Sequence, residues 1–167
     1  MTPYHIAAAD GQLEVCKLFL ETLTDKNPYN TQQDFTPLHL AALFGRLEVC
    51  KLISESIEDK NPVAIDGWLP LHCAASRGHL EILRFFLQNG VDRRSISNGE
   101  TPIQIAASHG HFRSCLFLMG NLQDIVSFFK GIKIWKNNST KAKFLVNTLI
   151  LLFGAMIIMV IISVFIQ

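Results

Sequence analysis

The chain writes nearly the same text twice, "GQLEVCKLFLETLTDKNP" from Gly11 and "GRLEVCKLISESIEDKNP" from Gly45. Alignment on the glycine extends the register to four copies. Gly11, Gly45, Gly78 and Gly110 are separated by 34, 33 and 32 residues. The segments leading into them read "TPYHIAAADG", "TPLHLAALFG", "LPLHCAASRG" and "TPIQIAASHG". Four registers that hold Pro, Ala-Ala and Gly together do not arise by chance. A period of this length means a stack of supersecondary units, each of which buries its apolar face only against a neighbour.

Each element of the unit has a physical reading. Thr2, Thr36 and Thr101 precede a proline, as Leu69 does in the third copy. Threonine can cap a free backbone N–H, and proline fits the first helical turn, where its missing donor is not needed. The Ala-Ala pairs give a small-residue face on which helices can approach closely. The glycine then supplies a left-handed C-terminal turn. A second helix follows, with apolar residues at helical spacing: Leu47, Val49, Cys50, Leu52 and Ile53 in one copy, and Leu80, Ile82, Leu83, Phe85, Phe86 and Leu87 in the next. Gln33-Asp34, Asp66-Gly67 and Asn98-Gly99 separate the copies, and the last two pairs predict tight hairpins.

A helix–turn–helix–hairpin unit of about 33 residues headed by "TPLHLAA" resembles the ankyrin repeat. The resemblance runs from Thr2 to about Asp124. It is close over Thr36 to Leu52 and Leu69 to Gly90, and looser in the fourth unit, where Gln104 stands in place of His5, His39 and His72. It implies an all-α solenoid of about four repeats with β-hairpin tips, over residues 1–124, in units near 2–35, 36–68, 69–100 and 101–124. It also implies a concave face that recognises a protein partner through hairpin tips and first-helix residues. Carried over by position, that face comprises Phe35, Leu43, Phe44 and Arg46 from the second unit. Trp68, Ser76, Arg77 and His79 come from the third, and Glu100, Ser108, His109 and His111 from the fourth. Phe44 and Trp68 stand out, because aromatics at open positions are over-represented among interface hot spots. Trp68 also has a plainer reading, packing on the next hairpin.

Other chemistries fit poorly. His5, His39 and His72 recur once per unit and so stand roughly 10 Å apart, the spacing of packed helices, whereas zinc needs ligands at about 2 Å. The resemblance gives this histidine a structural role, bonding backbone and the neighbouring Thr hydroxyl. His79, His109 and His111 cluster near two turns, where at most an adventitious metal site is conceivable. Cys16, Cys50 and Cys115 each lie five residues past their glycine, and Cys73 fills the slot of Ile6, Leu40 and Ile105. All four read as small core residues. No phosphate-binding glycine loop, carboxylate pair or nucleophile–base set is present. The expectation is a non-enzyme with no cofactor and no small-molecule substrate.

Charge divides the chain. All 14 acidic residues lie between Asp10 and Asp124, alongside 10 of the 15 Lys and Arg. The remaining five, Lys130, Lys133, Lys136, Lys141 and Lys143, form a block without acids, and nothing after Lys143 is charged. The net charge of +1 gives no reason to expect nucleic acid. Residues 144–166, "FLVNTLILLFGAMIIMVIISVFI", are 23 residues without a charge. A helix of that length spans about 34 Å, enough to cross a hydrocarbon core of about 30 Å. The lysines before it place the repeats on the cytosolic side of a single-pass protein. Two overlapping sequons at Asn137 and Asn138 argue for the other side, but such triplets are common by chance and these sit almost against the membrane. Segment 125–143 carries Ile125, Val126, Phe128, Phe129, Ile132 and Trp135. It reads as a cap on the fourth unit or as an amphipathic helix on the inner leaflet.

The expectation is therefore a membrane-anchored ankyrin-repeat binding module, a scaffold or adaptor facing the cytosol, with the lipid bilayer as its second partner. The alternative is a fragment of a larger ankyrin-repeat membrane protein, such as a transient-receptor-potential-type ion channel or a palmitoyl-transferase. It draws on the first unit, where Ile6 and Leu18 lack a preceding unit to cover them.

Overall fold

The computed structural model describes residues 1–30, 34–120, 124, 127 and 128. Eight helices pair along the described chain: α1 (Pro3–Asp10) with α2 (Leu13–Thr22), α3 (Pro37–Leu43) with α4 (Leu47–Ser56), α5 (Pro70–Arg77) with α6 (Leu80–Gln88), and α7 (Pro102–Ser108) with α8 (Phe112–Leu118). The first helices stack as a row, α1 on α3 on α5 on α7, and the second helices form a parallel row behind them. This is an all-α repeat solenoid.

Small residues set the spacing within the first row. Ala8, Ala41, Ala42, Ala74, Ala75, Ala106 and Ala107 are fully buried where these helices meet. The four cysteines are also fully buried and free, as their core positions predict. Leu38, Leu71 and Ile103 fill equivalent positions one per unit, and Tyr4 takes that place in the first. Tyr4 packs its ring on Phe19 at 5.2 Å.

Every first helix begins with the same closure. The backbone N–H of the capping residue bonds to the side chain three positions on: Thr2 to His5 Nδ1 at 3.3 Å, Thr36 to His39 at 3.2 Å, Leu69 to His72 at 3.0 Å and Thr101 to Gln104 Oε1 at 2.8 Å. The third unit therefore loses only the hydroxyl contact when leucine replaces threonine. Every first helix also ends alike. The residue after the glycine donates its N–H to the carbonyl of an alanine five residues back, Gln12 to Ala7, Arg46 to Ala41, His79 to Ala74 and His111 to Ala106. This is the bond that satisfies an orphan carbonyl when a left-handed glycine closes a helix.

The tips depart from expectation. Among the described residues there is no strand, and pairing is reduced to one isolated bridge, Ser97 with Glu100. That bridge flanks Asn98-Gly99, both with positive φ, as its sequence predicts. Asp66-Gly67 closes differently, through a short 3-10 turn over Ile65–Gly67 held by the bond from Ala64 N to Trp68 O. Segments this short cannot support a ladder of their own.

At the two ends the stack differs. Ile6 and Leu18 are 49% and 58% exposed, as anticipated for the first unit. At the other end Phe128 is buried and meets Phe112 edge-on at 6.4 Å. Asp124 is also buried, reaching Arg94 at 3.4 Å and accepting the Gly120 N–H at 2.8 Å. At these positions the chain after α8 lies against the fourth unit. The apolar run 144–166 and nearly all of 125–143 lie outside the described residues. Among the described residues no helix is long and apolar enough to cross a membrane.

Candidate functional site

Two ladders of side-chain bonds tie the units together, and they decide which surface is left over. In the first ladder, Nε2 of His5 donates to the Phe35 carbonyl at 3.0 Å, His39 to Trp68 at 3.0 Å, and His72 to Ser95 at 3.2 Å. The carbonyl can only accept, so Nε2 carries a proton, and Nδ1 accepts the capping residue's backbone N–H, so each ring is neutral. Burial is the main cause that lowers the pKa of all three, taking His39 down to about 4 against the opposing pull of the Trp68 carbonyl.

The second ladder was not legible as such in the sequence. Arg46, His79 and His111 each stand directly after their unit's glycine. Arg46 Nε donates to the Ala9 carbonyl at 2.8 Å, His79 Nε2 to Leu43 at 3.1 Å and His111 Nε2 to Ser76 at 3.0 Å. Each therefore caps the carbonyl end of the first helix one unit back. These side chains run so close to the preceding glycine that a Cβ at Gly45 would lie 2.7 Å from the His79 ring, and one at Gly78 2.6 Å from His111. The shared position after the glycine was the available signal.

These bonds redraw the anticipated partner face. Phe35 and Trp68 are half-buried, set in a file of rings: Phe35 stacks on His39 at 5.2 Å, Phe35 meets Trp68 at 6.3 Å, and Trp68 meets His72 at 6.1 Å. Trp68 packs on its neighbours, as its plainer reading has it, and stays half-buried. Ser76 is only 7% exposed, its hydroxyl bonded to the Cys73 carbonyl at 2.8 Å, so it does not form open surface as anticipated. Leu43 is half-buried against the core, and Ser108 turns its hydroxyl back to Ile105. Glu100, His79 and His111 are half-buried.

The open positions are Phe44, Arg46, Arg77 and His109. Phe44, Arg77 and His109 immediately precede their glycines, as Asp10 does in the first unit, and the four form one exposed file across the stack. Phe44, at 48% exposed, is its aromatic member. His109 and His111 lie with rings parallel at 6.4 Å, each bonded to a different backbone carbonyl. Among the described residues no group of three or more His, Cys, Asp or Glu is placed to hold a metal ion. The two "DKNP" loops line an open groove of about 460 Å³. Asp25 and Asp59 turn their loops by accepting the N–H two residues on, at 3.0 and 2.9 Å.

Comparison with protein families gives overlapping matches along this stack. The model described as ankyrin repeats (3 copies) matches residues 1–64, and that described as ankyrin repeats (many copies) matches residues 61–87 and 71–119. A search of curated proteins gave no match. The matched blocks run through all four units, and the chain belongs to the ankyrin-repeat family.

Proposed function

We propose that this chain is a membrane-tethered, non-catalytic adaptor that binds a protein partner along the exposed file led by Phe44, with its repeats facing the cytosol. Ankyrin repeats are protein–protein interaction modules, which supplies the general function. The observation that carries the specific reading is the position of Phe44, a half-exposed aromatic at the end of α3 flanked by Arg46 and Arg77. Aromatic and arginine side chains at open positions are the residues that dominate interface energies. The tether rests on the 23 uncharged residues 144–166 and the five lysines before them. Holding the repeats at a bilayer raises the effective concentration of any partner already there.

Photo-crosslinking in intact membranes tests both parts. A crosslinker at position 44 of the full chain is expected to trap a discrete protein, and one at Glu55, on the outer helix row, is not. The protein is expected to stay with membranes through alkaline extraction and to expose its repeats to protease only on the cytosolic side. Equal trapping at both positions defeats the partner face. Release by alkali defeats the tether.

A further inference from the structure

The edge where first helices turn into second helices changes charge along the stack. At the positions one before, one after and three after the glycine, the first unit has Asp10, Gln12 and Glu14, for −2. The second has Phe44, Arg46 and Glu48, and the third Arg77, His79 and Glu81, each summing to zero with neutral histidine. The fourth has His109, His111 and Arg113, for +1. The last step is a break in an otherwise regular device. Glu14, Glu48 and Glu81 each pair along their helix with Lys17, Lys51 and Arg84, at 2.7, 2.8 and 3.8 Å. In the fourth unit Arg113 replaces the glutamate and Leu116, 55% exposed, replaces the cation.

Local structure does not consume these charges. The carbonyl ends of α1, α3 and α5 already receive bonds from Arg46, His79 and His111, so the Arg77 guanidinium is not needed there. Arg77 and Arg113 have no ion pair among the described residues. Burial lowers the pKa of His111 first, and the Arg77 guanidinium is among the nearby groups that oppose protonation of that ring, so the imidazole beside Arg77 stays neutral and does not compete for an anion's partner.

We propose that this edge binds an acidic, extended segment of a partner protein, with an apolar side chain on Phe44 and carboxylates on Arg77 and Arg113. This rests on the reading of the Phe44 file as the partner surface and names the chemistry that surface selects. Arginine suits the task because its planar fork meets a carboxylate with two parallel bonds. Successive units stand about 10 Å apart, and an extended chain rises about 3.3 Å per residue. Every third residue of an extended segment therefore meets a new unit. The recognised pattern is an apolar residue with an acidic residue three positions along for Arg77, in either chain direction, and a further acidic residue beyond it for Arg113, which stands four residues past the file's fourth-unit position, His109. An anionic lipid surface is the rival source of negative charge. It lacks this spacing and offers nothing that requires an aromatic within the same file.

The test is to pan a displayed library of random 12-residue peptides against the full chain in nanodiscs of neutral phosphatidylcholine. Binding of the recovered peptides is then measured to wild type, Arg77→Glu, Arg113→Glu, Phe44→Ala and Lys60→Glu. Recovered peptides are expected to carry the apolar–acidic–acidic order, with the first acidic residue three positions from the apolar one. They should bind at least ten-fold more weakly to each arginine variant, and unchanged to Lys60→Glu, whose lysine lies on a distant loop. Arg77→Gln, with an unchanged melting curve, controls for folding and should show an intermediate loss. Peptides that depend on Phe44 but are neutral or basic overturn the acidic pattern and leave the partner surface standing. Peptides indifferent to Phe44, Arg77 and Arg113 overturn both. Arginine-dependent binding to phosphatidylserine vesicles without any such peptide assigns the edge to lipid and overturns the proposal.

Discussion

Nε2 of His39 lies 3.0 Å from the carbonyl oxygen of Trp68, 29 residues further along the chain. The opposite ring nitrogen accepts the Thr36 N–H at 3.2 Å and contacts the Thr36 hydroxyl at 2.9 Å. One buried imidazole thus closes the first turn of its own helix and ties down the next unit's approach. Local helix formation and assembly of the stack are coupled through a single side chain.

Replacing that ring separates its two jobs. Gln104 shows that an amide oxygen can close the first turn, accepting the Thr101 N–H at 2.8 Å. His39→Gln is therefore expected to keep the turn and lose the rung, costing about 1 kcal/mol. His39→Ala leaves a buried donor, a buried carbonyl and a void, and is expected to cost about 3 kcal/mol. Chemical denaturation of the two variants against wild type measures the difference. Equal losses would mean that the rung carries nothing.

Acid should weaken the stack through the same rings. His5, His39 and His72 are held below the ordinary histidine range, chiefly by burial, so the unfolded chain binds their protons first. The stability they contribute is complete above about pH 6.5 and is lost as pH falls toward the folded values. For His39, whose folded pKa is about 4, the loss reaches roughly 3 kcal/mol by the bottom of that window. Melting curves between pH 7.5 and 4.5 should show Tm falling with pH, with a shallower fall in His39→Gln.

How much of this was legible in the sequence depends on where the information sits. The helices and the core were readable because Thr-Pro, Ala-Ala and Gly act within one unit, through capping, close approach and left-handed closure. The side-chain ladders act between units. The sequence places Arg46, His79 and His111 in one column, yet only the stack shows that the column points backward onto the preceding carbonyls. Ser76 was misplaced for the same reason. It looks polar and helix-terminal, but its hydroxyl turns onto Cys73 and its carbonyl is taken by His111. The tips were overread, since Asp66-Gly67 carries hairpin chemistry on arms too short to pair.

The cysteines should be silent until the fold opens. All four are fully buried, and burial pushes the thiol of Cys16 up to about 11 and that of Cys115 up to about 12, with Cys50 and Cys73 also raised. Alkylation needs the thiolate. Iodoacetamide at pH 8 is expected to leave the native chain unmodified and to label four sites in denaturant, read by intact mass. Labelling of Cys16 alone would show that the first unit opens locally.

Gly78 carries two constraints that a double-mutant cycle can separate. Its φ of +72° is a left-handed conformation, and a Cβ there would stand 2.6 Å from the His111 ring. Gly90 has φ +84° with nothing within 4 Å of a Cβ, so Gly90→Ala is expected to cost only the backbone strain, about 1 kcal/mol. Gly78→Ala should cost about 3 kcal/mol, because the ring must leave and the Ser76 carbonyl loses its donor. Removing the ring first, in His111→Ala, concedes that bond in advance. Gly78→Ala in that background is then expected to fall back to about 1 kcal/mol, a coupling of about 2 kcal/mol across the two units. Additive costs would mean that the glycine is there for its backbone alone, and that the close passage of His111 is a consequence of the stack without energetic weight.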